Sequence, residues 1–197
     1  ILKKLILKKL QTSSNVLWNQ MLSWLFVQEK AYKRALAQEK AIFRRQQNSL
    51  QGVIEVALLA KADKVYEVTS DAFSFISNVA QEPKLSLEAE RQLLTLELLR
   101  NKAPDYKRIQ FDYKHLLERY GIYNETIDLQ LSYAEFLAFH YQQKQAAIVF
   151  LKKCLEVKAS KFTKAKLKLK LADILTTQEQ FNRALVFYTQ VYSQIKN

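Results

Sequence analysis

Only two glycines, Gly52 and Gly121, and two prolines, Pro83 and Pro104, punctuate this chain of 197 residues. Average usage would place about 14 glycines and about 10 prolines in that length. Glycine supplies left-handed backbone positions, tight hairpins and phosphate-cradling loops. With Gly52 and Gly121 alone, neither G-x-G-x-x-G nor a Walker A loop can be written. Hairpin-built sandwiches and barrels need turn glycines at short intervals and fit equally poorly. What remains is an all-α chain of helices joined by short polar turns. Its 49% apolar and 12% aromatic residues are ample for a buried core and argue against disorder.

From residue 16 onward the apolar periodicity predicts paired helices. They are 16–28 with 31–45, 52–62 with 65–79, 86–102 with 106–120, 126–141 with 145–157, and 162–177 with 181–195. Pro83 and Pro104 bracket the third pair, and Gly121 reads as the cap that closes it. The expected units are therefore 16–45, 50–80, 86–121, 126–158 and 162–195, in one segment spanning 1–197. Any superhelix they form should bend at the third. Small residues recur at two places per unit, with large apolar residues nearby. Ala172 and Ala184 stand twelve apart, as do Ala134 and Ala146, Ala57 and Thr69, and Ser23 and Ala35. Backbones of neighbouring helices approach closely where such residues meet. Leu171, Leu175, Tyr188 and Val191 flank them in the last pair, and Tyr133, Leu137 and Phe150 in the fourth.

The opening ILKKLILKKL puts Ile1, Leu2, Leu5, Ile6 and Leu10 on one stripe between paired lysines. Alone, that is a cationic amphipathic helix of the membrane-surface type. Beside the pairs it reads as the last helix of a preceding unit, packing inward through Leu and Ile. No run of about 18 apolar residues is present to span a bilayer.

Helix pairs that recur in this way are the mark of an α-solenoid. LADILTTQEQFNRALVFYTQV (171–191) and YAEFLAFHYQQKQAAIVFL (133–151) resemble the tetratricopeptide repeat (TPR), with its early Leu-Ala and late Ala-x3-Phe. The resemblance implies a right-handed α-solenoid of antiparallel helix pairs, although no unit carries the proline that often closes the repeat. WNQMLSWLFVQEKAYKRALAQEKAIFRR (18–45) and KLADILTTQEQFNRALVFYTQV (170–191) further resemble parts of long bacterial TPR proteins exported to the cell envelope. That likeness implies an internal block of five units flanked by further repeats, in a periplasmic or envelope location.

No catalytic constellation can be assembled from the residues. His115 and His140 are 25 apart, and neither has a second metal ligand at helical spacing. The single Cys154, in IVFLKKCLEV, reads as a small buried hydrophobe. Glu88 and Glu90 lie on different helix faces and cannot share a site. No nucleophile elbow is present. The expectation is a non-enzymatic protein without catalytic residues, metal or cofactor.

The resemblance implies a concave groove lined by the first helix of each pair, where TPR proteins take a peptide or partner helix. The positions that map to it are Gln20, Trp24 and Gln28, then Ile54, Leu58 and Lys61, then Leu131, Glu135 and Phe139, and finally Lys166, Leu169 and Asp173. Trp24 and Phe139 either anchor a partner or pack between units; as anchors each would carry about 2 kcal/mol or more. The Lys and Asn that clamp a free carboxylate in chaperone-tail-binding TPR proteins are missing, so a C-terminal carboxylate is not the expected ligand. The leading expectation is a protein–protein interaction scaffold binding a peptide or a partner protein, within a multi-protein complex.

The alternative is a basic RNA-binding solenoid. The formal charge is +12, and Tyr106, Phe111 and Tyr113 could stack on bases. Successive quarters of the chain nevertheless carry +8, −3, 0 and +7. The charge therefore sits at two ends and not along one face, and anionic lipid is a third partner it could meet.

Overall fold

A computed structural model describes residues 2–12, 15–47 and 49–196, with the side chains of 2–3, 10–12 and 195–196 outside that description. Every regular element among the described residues is helical: α1 (Leu2–Thr12), α2 (Val16–Gln28), α3 (Tyr32–Gln46), α4 (Gln51–Ala62), α5 (Tyr66–Val79) and α6 (Pro83–Arg100) lead, followed by α7 (Tyr106–Tyr120), α8 (Ile127–Glu135), α9 (Lys144–Glu156), α10 (Lys161–Thr176) and α11 (Phe181–Lys196). A 3-10 turn (Asn124–Thr126) leads into α8, and a π-helical turn (Phe136–His140) extends it. The chain divides into two compact units, Ile1–Leu96 and Glu97–Asn197, with the boundary inside α6.

Side chains that satisfy orphan backbone groups mark several helix starts. Asn15 accepts from the Leu17 amide, Asp105 from Arg108 and Ser160 from Thr163. Pro83 is the first residue of α6, a position where its missing N–H costs no helical hydrogen bond. The third pair thus begins three residues before the 86 that periodicity suggests. Gly121 caps α7 at φ 76°, and its amide bonds the Leu117 carbonyl. A Cβ there would strike the Tyr123 ring. Gly52 serves a close approach instead, because the Glu39 carboxyl of α3 occupies the place of a Cβ.

Unit 1 packs small and aliphatic residues. Leu22, Ala35, Leu36, Val53, Ala57, Ala60, Ala72 and Ile76 form one buried cluster, to which α1 adds Ile6. The inward stripe expected for α1 is narrower than its sequence suggests, since Leu5 is 53% exposed. Residues 5 and 6 stand about 100° apart on a helix, and only the Ile6 side meets the cluster. Ile1, Leu2 and Leu10 lie outside the described side chains. Unit 2 packs an aromatic tier instead. Tyr113 lies 5.5 Å from Tyr133 and 5.4 Å from Phe136 between ring centroids, and Tyr141 stacks on Phe136 at 5.8 Å.

The turns inside four pairs share one conformation without using glycine. Lys30, Lys64, Gln142 and Glu179 are left-handed at φ 55°, 61°, 58° and 59°. Scarce glycine therefore does not mean scarce left-handed turns. In three pairs the residue after the turn returns its amide to the carbonyl five back: Ala31 to Phe26, Val65 to Ala60 and Gln180 to Leu175. In the fourth, Gln143 reaches six back, to Leu137. The additional residue is absorbed by the π turn, where the Tyr141 amide bonds Phe136.

That insertion corrects one expectation. Ser23 with Ala35, Ala57 with Thr69, and Ala172 with Ala184 are buried at the twelve-residue spacing. In the fourth pair Ala134 is buried together with Ala147, thirteen on, while Ala146 is exposed and Phe150 only half-buried. Counted from the left-handed residue, the buried small residue always follows by five, so the shift originates before the turn.

Candidate partner-binding faces

In unit 1, α2 buries Asn19, Leu22, Ser23 and Phe26. Gln20, Trp24 and Gln28, four apart, share the opposite, exposed face. Trp24 is 60% exposed, and Leu17, two turns before it, is 51% exposed. The Trp24 ring is therefore not buried between the helices of its unit. On α4, Leu58 is 50% exposed, whereas Ile54 is half-buried against the core cluster. Lys61 is half-buried and donates from Nζ to Gln92 Oε1 at 2.7 Å. Burial lowers its pKa and neighbouring Arg91 adds to this, against the pull of Glu88. Lys61 is thus tied to α6 and is not a projecting cation. Burial would raise the Glu88 carboxyl, but bonds from Arg91 and Gln92 outweigh it and leave the pKa lowered.

In unit 2, Leu131 is half-buried on α8 and Leu169 is 40% exposed on α10. The charged positions face one another across these helices. Glu135 accepts from Lys170 at 3.2 Å, and Lys166 approaches Asp128 at 3.9 Å while lying over the Phe162 ring. Asp173 accepts from the Tyr188 hydroxyl at 2.7 Å. Phe139 is 37% exposed on the π turn. Of twelve positions, the polar ones in unit 2 and Lys61 in unit 1 are engaged internally. The exposed apolar ones are Trp24, Leu58, Phe139 and Leu169.

One device escaped sequence reasoning. Asp63, the C-cap of α4, accepts from Tyr32 Oη at 2.8 Å and pairs with Lys30 at 2.9 Å. The turn of the first pair is thereby latched to the turn of the second. The Lys30 and Tyr32 bonds hold the Asp63 carboxyl below its usual value, and the bond to Asp63 raises both partners. In unit 2 the residue at Tyr32's place is Lys144, which donates to the Thr177 carbonyl, the C-cap of α10, at 3.0 Å. The geometry recurs with different chemistry, so no repeated residue type announced it.

Cys154 is buried and its thiol is pushed up to about 12, mainly by that burial. Among the described residues no three His, Cys, Asp or Glu side chains are grouped to hold a metal ion, and no helix is long and apolar enough to cross a membrane. Of the three aromatics named for base stacking, Tyr113 is 1% exposed and Tyr106 is packed on Tyr141 at 5.8 Å; Phe111 alone stands out, at 67%.

Successive helix pairs with buried small residues at their crossings, and turns latched at two places, define an all-α solenoid of the tetratricopeptide-repeat type. Solved structures share the fold. A MamA segment from Desulfovibrio magneticus RS-1 superposes with a TM-score of 0.58 at 12% identity, over 93% of this chain and 97% of that one. A tetratricopeptide repeat protein from Parabacteroides merdae gives 0.55 at 16% identity over 91% of this chain, which spans 65% of that protein's length. YrrB, described as a TPR protein with an unusual peptide-binding site, gives 0.51 at 13% identity, over 95% of this chain and 91% of that one. No sequence-family model and no curated protein matches the chain.

Proposed function

We propose that this chain is a non-enzymatic scaffold that binds a peptide or partner protein on the exposed faces of its first helices. The observation that carries this reading is Trp24, a large aromatic 60% exposed on α2. Exposed rings of this kind anchor interfaces, at about 2 kcal/mol or more each. Leu58 in the same unit, and Phe139 and Leu169 in the other, supply further apolar contact. The TPR fold of peptide-binding YrrB supports the same class of function. Assembly into a larger complex, and the envelope location that the sequence likeness implies, belong to the same proposal. Fractionation of the source cells tests the location.

A pull-down from source-cell lysate with wild-type chain and the variants Trp24→Ala, Leu58→Ala and Phe139→Ala tests the site. Loss of about tenfold or more in recovered partner is expected on Trp24→Ala. Unchanged recovery across all three variants would remove these faces from the interface.

A further inference from the structure

Away from the first-helix faces, unit 2 carries a cleft of about 430 Å³ between the second helices α7 and α9. The matching second helices of unit 1, α3 and α5, close on each other. Phe43 there meets Phe75 edge to face at 5.7 Å, and Lys40 pairs with Asp71 at 2.7 Å. Between α7 and α9 the floor is Tyr133 and Leu137 of the first helix. Tyr133 is held in place by the Phe150 ring, 4.9 Å away and nearly perpendicular. Ala146 and Val149 form the α9 wall, and Val149 is 59% exposed. Ala146 is the residue that a twelve-residue spacing would have buried; the π insertion assigns burial to Ala147 and leaves Ala146 at the cleft.

The polar lining has one sign. Lys114 of α7 and Lys153 of α9 stand on opposite walls, the other polar side chains there are Gln145 and the hydrogen-bonded pair Gln110 and Tyr133, and no carboxylate lines the cleft. A volume of this size lies within the range of about 300–1,000 Å³ typical of ligand pockets. The cleft suits a large apolar side chain, and the paired cations suit carboxylates on either side of it. We propose that the α7–α9 cleft takes an acidic segment of a partner protein, seating one aromatic or branched apolar residue on Tyr133 and Leu137, with flanking carboxylates on Lys114 and Lys153. This site is separate from the first-helix faces and does not depend on them.

The test is an NMR titration of the whole chain with the peptide acetyl-Asp-Glu-Trp-Glu-Asp-amide. Saturable shifts are expected at the amides of residues 114, 149 and 153, with a dissociation constant of about 1 mM or tighter. Lys114→Glu with Lys153→Glu should weaken binding about tenfold or more. Ala146→Trp should fill the cleft and abolish binding, while Trp24→Ala should leave it unchanged. Val149→Glu, at an exposed site, gives a second blocking variant should Ala146→Trp fail to fold. The proposal is overturned by no saturable shift at about 10 mM peptide, by equal affinity in the charge-reversed chain, or by equal binding of acetyl-Lys-Lys-Trp-Lys-Lys-amide. Binding of phosphatidylglycerol vesicles or single-stranded RNA through Lys114 and Lys153, without peptide binding, would overturn it as well.

Discussion

The pair α2–α3 and the pair α8–α9 apply one rule with different arithmetic. In the first, Ser23 and Ala35 are buried twelve apart across an α-helical turn closed by Ala31 on Phe26. In the second, Ala134 and Ala147 are buried thirteen apart across a π turn closed by Gln143 on Leu137. The invariant is the distance from the left-handed residue to the second helix, not the spacing between small residues. Residues five apart on an α-helix point about 140° from each other. The π turn brings Phe136 and Tyr141 to the same side, where their rings stack at 5.8 Å. Aromatic packing in unit 2 thus accompanies the extra residue, and the aliphatic, alanine-rich core of unit 1 does without it.

The comparison can be broken at the crossing itself. Ala147→Leu should overpack a fully buried position and cost about 3 kcal/mol, whereas Ala146→Leu should cost less than about 0.5 kcal/mol. Urea unfolding of both variants checks this, and equal costs would erase the register difference. Next in size are the turns. A left-handed residue other than glycine is strained, so Lys64→Gly and Gln142→Gly should each raise stability by about 0.5–1 kcal/mol. A gain in one and a loss in the other would show that the two turns differ in more than register.

Smaller effects separate the two latches by pH. The Asp63 carboxyl is depressed in the folded chain, so its contribution is full above its ordinary value of 3.8 and disappears as pH falls through the lower folded value. Tyr32 is raised, so its contribution is full below 10.0 and is lost as pH climbs through the higher folded value. Asp63→Asn should flatten both limbs of the thermal-melting profile. The other latch ends on the Thr177 backbone carbonyl, which does not titrate and which no side-chain change at Thr177 removes. Smallest of all, Trp24→Ala should change stability by less than about 0.5 kcal/mol, because its ring is mostly in solvent. A larger loss would place Trp24 in the packing and weaken its reading as an anchor.

Most helices were legible because periodicity and punctuation agreed: α2 and α7 span the residues expected of them, and Gly121 caps where a helix had to end. The π insertion was hidden by chemistry. Ala146 and Ala147 are adjacent, so either spacing found an alanine, and FLAFH has no glycine or proline to mark an irregular turn. The left-handed residues were hidden likewise, since Lys, Gln and Glu occupy positions where glycine would have been conspicuous. A subtler signal was available in the residue two after the turn, which is Tyr32, Tyr66 and Phe181 in three pairs but Lys144 in the fourth. Of the candidate site, the exposure of Trp24 and Leu58 was legible, since each lies off the buried stripe of its helix. The latching of Lys61, Glu135, Lys166 and Asp173 was not legible, because their partners lie on other helices 15 to 38 residues away.

The register of the fourth pair is most directly read by thiol labelling of Ala146→Cys and Ala147→Cys with a maleimide under native conditions. The native Cys154 stays silent, being buried with its thiol pushed up to about 12. Ala146→Cys should react at nearly the unfolded rate, and Ala147→Cys about a hundredfold slower or more. Fast labelling at 147 with protection at 146 would restore the twelve-residue spacing and contradict the π-shifted register.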